Sequence, residues 1–224
     1  MGKAAIGHGE DDMAQMENGV VLLDERTTRL RLLLLVGWAG TMVTTLTTLA
    51  ELGGLVTVND DPENIGSTIV ILISLIMALL NIATIIYFGM WIYRAAQNAV
   101  DADHPLHDSP GWAVGWYFIP FANLFKPFSA MRQIWNASHG ETDLDAPHTL
   151  LNQWWAAWLV ASIASGIAFQ ISLRSADESA LRMTLILTLV ACIADLFLFP
   201  LAIRMTRAIN QAQQSGLSAT RIFE

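Results

Sequence analysis

The sequence predicts an all-α integral membrane fold: a bundle of four transmembrane helices with a proline-broken aromatic element, re-entrant or interfacial, between the second and third. Three observations carry this reading. Of the 224 residues, 54% are hydrophobic and only 14% are charged, against roughly 25% charged in soluble domains. Mean hydropathy is +0.45. Uncharged apolar runs reach 29 residues, enough to cross the roughly 30 Å hydrocarbon core of a bilayer. The basic residues also fall unevenly between alternate loops, as they do in membrane-inserted chains.

Residues 1–29 read as an acidic, flexible cytoplasmic tail, with Glu10, Asp11, Asp12, Glu17, Asp24 and Glu25 supplying much of the net charge of −8. That charge gives nucleic-acid binding little support. The tail lacks a basic start followed by an apolar stretch, so no cleaved signal peptide is expected. Residues 30–215 form a single membrane domain, and 216–224 a C-terminal tail. The single cysteine, Cys192, excludes an intrachain disulfide and a multi-cysteine metal site.

The first span is placed at about 32–55, where 19 uncharged residues precede Glu51 and a glycine pair. The second, 65–93, would be about 43 Å long at helical rise and must tilt or protrude. The third, about 150–173, opens with Trp154, Trp155 and Trp158, rings suited to the headgroup level. The fourth runs from about 181 to 203. With both termini inside, ten basic residues lie in the cytoplasm and only Arg174 and Arg182 outside, which favours this orientation. The location that follows is the cell inner (plasma) membrane, multi-pass, with the Asn59 to Asn64 loop outside.

Residues 109–138 are neither loop nor span. The uncharged stretch is short for a crossing and is interrupted by Pro120, which removes a backbone donor and disfavours helix at Ile119. Asn123 and Lys126 are placed to satisfy freed carbonyls or reach headgroups. Pro127 suits the first turn of a new helix. There Phe128, Met131, Ile134 and Trp135 share one side and Arg132 and Gln133 another, as in an amphipathic surface helix. Non-helical backbone at membrane depth persists only when shielded by protein or lining a wet cavity, which makes this element the leading functional candidate.

These residues also carry a resemblance. Trp91-Ile-Tyr-Arg94-Ala-Ala-Gln-Asn98-Ala, then Ser109-Pro110-Gly111-Trp112-Ala-Val-Gly-Trp116-Tyr-Phe-Ile-Pro120, then Asn123-Leu-Phe-Lys126-Pro127 resemble the signature of the bacterial membrane family called domain of unknown function 4328. Phe121 and Phe128-Ser129 depart mildly from its pattern. The resemblance spans roughly residue 65 to the fourth span and implies an integral membrane protein of several helices. It supplies no reaction, ligand or catalytic residue.

Within the spans the sharpest signal is Asp195, because a charged carboxylate near the bilayer centre is expensive and needs a proton or a partner. Thr184, Thr188, Ala191 and Asp195 recur at steps of four, three and four, along one helix face. Asn81 is the expected partner, its depth differing from that of Asp195 by only about 6 Å at helical rise. Two readings stand: a hydrogen-bonding pair that holds helices together, or a proton- or cation-coupling centre with Asn81 and Tyr87 lining the path. Small and hydroxyl stripes, Gly37, Thr41, Thr44, Thr45 and Thr48 in the first span and Ala157, Ala161, Ser165 and Ala168 in the third, indicate close packing. Threonine hydroxyls there return to the preceding turn.

Arg94-Ala-Ala-Gln-Asn-Ala and Arg207-Ala-Ile-Asn-Gln-Ala echo one another after the second and fourth spans, from duplication of a helical hairpin or from chance convergence of helix ends. Asp101, Asp103, His104, His107 and Asp108 crowd one loop, and His139, Glu141, Asp143, Asp145 and His148 another. Imidazole and carboxylate suit zinc or iron, yet the spacing matches no standard metal motif, and no metal or cofactor is expected. Nucleophile constellations and phosphate loops are missing from the sequence, so no enzymatic activity is expected. The expected role is a noncatalytic membrane scaffold or partner-binding protein, its partners being the lipid bilayer and a homo-oligomer or another membrane protein. The alternative is a small oligomeric transporter or channel centred on Asp195 and Asn81.

Overall fold

The computed structural model of the protein describes residues 2–55, 65–175 and 177–222. The Asn59 to Asn64 loop lies outside the described residues, as do the side chains of Lys3, Glu10, Asp11, Asp12 and Arg221. The chain is 86% helical, and no strand occurs among the described residues. The helices are α1 (Gly2–Leu52), α2 (Ile65–Asp101), α3 (Pro110–Gly115), α4 (Lys126–Ser138), α5 (Thr149–Arg174) and α6 (Glu178–Ile222). Short 3₁₀ turns at Trp116–Phe118 and Ala122–Leu124 bridge α3 and α4. Four helices are long and apolar enough to cross a membrane, over Met13–Leu52, Leu72–Asp101, Thr149–Arg174 and Glu178–Gly216.

Helix ends follow backbone chemistry. After α1, Gly54 takes φ 69°, its N–H reaching the Glu51 carbonyl and that of Leu55 reaching Ala50. Gly140 does the same after α4. Asp103, at φ 60°, closes α2 through its own N–H to Val100 and that of His104 to Ala99. Each is a left-handed C-terminal closure that satisfies the last carbonyls. At the start of α6, Asp177 accepts the Ala180 N–H at 2.7 Å and the Ser179 hydroxyl at 2.8 Å, an N-cap. These bonds favour the ionised form and hold the Asp177 carboxyl below its usual range.

The chain divides into two compact units. The first comprises residues 1–31, 86–151 and 204–224. Its interior resembles that of a water-soluble domain: Leu23, Leu30, Trp91, Ile92, Met131, Ile134, Leu151, Met205 and Ile209 are almost wholly buried. On α1 the buried positions Val20, Leu23, Thr27 and Leu30 recur at three and four residues, the spacing of a helix with one apolar seam.

The second unit comprises residues 32–85 and 152–203. Its buried side chains are mostly small, among them Ala161, Ala164, Ala168, Ala191, Cys192 and Ala194, while Leu46, Leu72, Leu79, Ile163, Phe169 and Phe197 are exposed. That inversion is expected in lipid, where burying a leucine gains little and close backbone approach gains dispersion contact. A Cβ on Gly37 would lie 3.0 Å from the Phe199 ring, and one on Gly40 3.1 Å from Met77 Sδ. The threonine hydroxyls of α1 bond to the preceding turn: Thr41 to Gly37, Thr44 to Gly40 and Thr45 to Thr41. Trp154 and Trp155, placed by sequence at headgroup level, are buried in protein.

Candidate functional site

In the first unit, the proline-broken element is α3 followed by two short 3₁₀ turns that meet at Ile119–Phe121. Ile119 is extended (φ −95°, ψ 117°) ahead of Pro120, as the proline ring requires. The next residue, Phe121, sits at φ 65°, a region that bulky side chains rarely enter because Cβ crowds the backbone. Bonds from Ala122 N–H to Pro120 O at 2.8 Å and Asn123 N–H to Ile119 O at 3.0 Å hold this conformation. Its outer surface is aromatic: Phe121 is 81% exposed, Phe118 71%, Phe125 59% and Trp112 50%. Lys126 Nζ lies 5.0 Å from the Trp116 ring centroid, a cation–π contact, so this lysine is turned onto the element itself. Pro127 stands in the first turn of α4, as its fixed φ favours.

The amphipathic assignment of α4 needs correction. Gln133, grouped with Arg132 on the outer side, is buried, as is Asn136. Gln133 Oε1 accepts the His107 N–H at 2.9 Å and its amide meets His107 Nδ1 at 2.8 Å. Asn136 Nδ2 donates to the carbonyls of Leu144 and Ala146. Both amides tie loops to the helix, so the helix is packed on both sides. Spacing alone groups polar residues outward because it cannot see which loops will supply partners.

The motif after the second span forms a second feature. Trp91 is fully buried and its Nε1–H donates to Thr27 Oγ1 at 2.9 Å. Arg94 reaches Asn98 Oδ1 at 2.6 Å and Asp101 Oδ2 at 2.8 Å. Asn98 Nδ2 donates to the Gly19 carbonyl at 3.2 Å and to Gln213 Oε1 at 2.8 Å, and Gln213 Nε2 continues to Ala95 O and Ser138 Oγ. This network joins α1, α2, α4 and α6 beside a cavity of about 120 Å³ lined in part by Asn98, His104, Ser138 and Gln213. The bond from Asn98 to Gly19 is buried and the others are partly buried, where an unmet polar group is costly.

The chain matches the family Domain of unknown function (DUF4328) over residues 55–213. It belongs to that family. No curated protein and no solved structure matches it. In this DUF4328 protein the family-motif residues Trp91, Arg94 and Asn98 are therefore engaged in joining helices, whereas Trp112, Pro120 and their neighbours build the exposed turn. Gly19, Gln213 and Ser138 complete the network, and sequence reasoning missed them. Their only sequence signal is a small residue opposite an Arg and an Asn, which carries no meaning until the helices are paired.

The two histidine-rich loops do come together. His104, His107, Glu141, Asp143 and Asp145 line one open pocket, with His107 Nδ1 4.0 Å from Asp145 and Arg132 Nη2 2.9 Å from the same carboxylate. Among the described residues no group of three or more His, Cys, Asp or Glu is arranged to hold a metal. His139 and His148 instead flank Trp135, each 4.3 Å from it between ring centroids. Burial, and then the neighbouring His139, lower the His148 pKa from its ordinary value.

In the second unit Thr184, Thr188, Ala191 and Asp195 line one groove with Ser165, Ala168, Phe169, Ser172 and Cys192, so the helix face inferred from spacing meets α5. Asn81 is not among the lining residues and is exposed on α2. Tyr87 belongs to the first unit. No hydrogen bond joins Asn81 to Asp195 among the described residues: Asn81 is exposed on α2, whereas Asp195 lines the groove between α5 and α6.

Proposed function

We propose that this protein is a noncatalytic, multi-pass protein of the bacterial inner membrane, with both termini cytoplasmic, that serves as a scaffold and contacts lipid through its proline-broken aromatic turn. One observation carries the reading: Phe118, Phe121 and Phe125 stand 71%, 81% and 59% exposed around a residue with positive φ. Strained backbone persists where the surrounding structure imposes it, and it marks functional elements more often than accidents. An exposed aromatic cluster on a membrane protein fits the headgroup level, where large rings bury an apolar face. The use of Arg94 and Asn98 as helix ties supports a role without chemistry. The ten-to-two distribution of basic residues supports the orientation.

A spin label at Phe121→Cys, in a Cys192→Ala background, tests this in liposomes. Greater collision with membrane-soluble oxygen than with an aqueous nickel complex is expected. Nickel access equal to that of a label at Asp103→Cys would reject membrane contact.

A further inference from the structure

The polar side chains of the second unit with no hydrogen-bonding partner among the described residues include the Asn81 amide and the Asp195 carboxyl. Asn81 is exposed on α2, among Leu79, Ile82 and Ile85, which are also exposed. No residue in the most apolar stretch of α2 is buried. Asp195 is half-buried and lines a groove of about 300 Å³ formed by α5 and α6, whose walls are serine, threonine, alanine and Cys192 with a single aromatic ring. In hydrocarbon there is no water to satisfy either group, and each unmet group is unfavourable. Small residues along the groove admit a helix at close range. The depths lie within side-chain reach, since Asn81 lies 13 residues before Arg94 and Asp195 lies nine before Arg204, a difference of about 6 Å at helical rise.

We infer that a second copy of this chain covers the groove, seating its α2 against α5 and α6 so that Asn81 of one copy hydrogen-bonds Asp195 of the next. The chemistry is complementary: an amide N–H donates to a carboxyl oxygen, and a protonated carboxyl donates back to the amide oxygen. Because α2 and the groove are different surfaces, the contact is heterologous, joining copies head to tail in the membrane plane. This contact is independent of the depth of the aromatic turn, so failure of one leaves the other standing.

The test pairs two differently tagged versions of the full chain, both carrying Cys192→Ala, one with Asn81→Cys and the other with Asp195→Cys. Co-expressed in membranes and oxidised, they are expected to give a disulfide-linked species of doubled mass bearing both tags. Neither version alone gives such a species. In liposomes, energy transfer between labelled copies is expected to show about fivefold weaker association for Asn81→Leu or Asp195→Leu. The exchange Asn81→Asp with Asp195→Asn restores it. Absence of the mixed disulfide together with unchanged association in both leucine variants would overturn the inference. A disulfide within one chain in the double-cysteine version would do the same. So would proton or cation flux abolished by Asp195→Asn while association is intact, which would assign the carboxyl to a conduction path.

Discussion

Trp38 Nε1 donates a hydrogen bond at 3.0 Å to the carbonyl oxygen of Leu196, four residues before Pro200 within α6. Proline has no N–H, so in a continuous helix the carbonyl of Leu196 would stand unmet. The indole of α1 supplies the missing donor from a neighbouring helix, the kind of repair that lets proline persist in membrane helices. Trp38→Phe is therefore expected to destabilise the protein by about 1–2 kcal/mol. In a Pro200→Ala background, where the helix regains its own donor, most of that penalty disappears. Thermal unfolding of the four variants in detergent, treated as a double-mutant cycle, measures the coupling. Additive effects would show that the indole does not compensate for the proline.

Gly19 allows α1 to meet α2 without a side chain between them. A Cβ there would lie 2.4 Å from Asn98 Oδ1 and 2.7 Å from Arg94 Nη2, and Asn98 is held by bonds that prevent its retreat. Gly19→Ala is expected to cost about 1–3 kcal/mol through overpacking, despite alanine's higher helix propensity. Gly111→Ala, with open space around its Cβ, is the control. A melting temperature equal to that of the control would refute the close approach.

Asn98 and Gln213 share a hydrogen bond and each bonds further groups. Either alanine variant leaves buried partners unmet, at about 1–3 kcal/mol. Because the first substitution already disrupts the network, the double variant is expected to fall short of the sum. Chemical denaturation of the three variants reads this directly.

Acid sensitivity should trace to His148. Its folded pKa is lowered by burial and by His139, so below the ordinary imidazole range near pH 6.5 the unfolded chain binds a proton that the folded chain resists. This contribution to stability is constant above about pH 6.5 and declines as pH falls. His148→Phe, which keeps an aromatic ring against Trp135, flattens the melting temperature between about pH 5 and 7 if this assignment holds. An unchanged pH profile would remove His148 as the cause.

At the start of α6 the sign is opposite in origin and similar in direction. Asp177 is held ionised by the Ala180 N–H and by the Ser179 and Ser175 hydroxyls. Its capping is present above the ordinary carboxyl range and lost as pH falls through the lowered folded value. Asp177→Ala is expected to speed amide hydrogen exchange at Ala180 and Leu181 at neutral pH, whereas Asp177→Asn, still a capping residue, keeps exchange slow and independent of acid. Equal exchange in all three proteins would exclude the cap.

Much of this architecture was legible because lipid imposes simple rules. The uncharged runs gave four helices long enough to cross a membrane, Pro120 ended regular helix at an extended Ile119, and Pro127 began α4. The face of Thr184, Thr188, Ala191 and Asp195 lines a single groove. Periodicity failed at Gln133 and Asn136, whose amides are buried against loop backbone. It also read residues 1–29 as a flexible tail, whereas α1 begins at Gly2 and buries Val20, Leu23 and Thr27.

The sequence by itself determined which segments are long and apolar enough to cross a membrane, because hydropathy and proline chemistry are local properties summed along the chain. It also determined membership of the DUF4328 family, whose pattern it matches over residues 55–213. Only the tertiary structure decided which polar groups meet: Asn98 with Gly19 and Gln213, Trp38 with Leu196, and Asn81 apart from Asp195. Hydrogen bonds between helices depend on the rotation and depth of each helix about its own axis. Those two quantities come from packing among all the helices and are written in no single one of them.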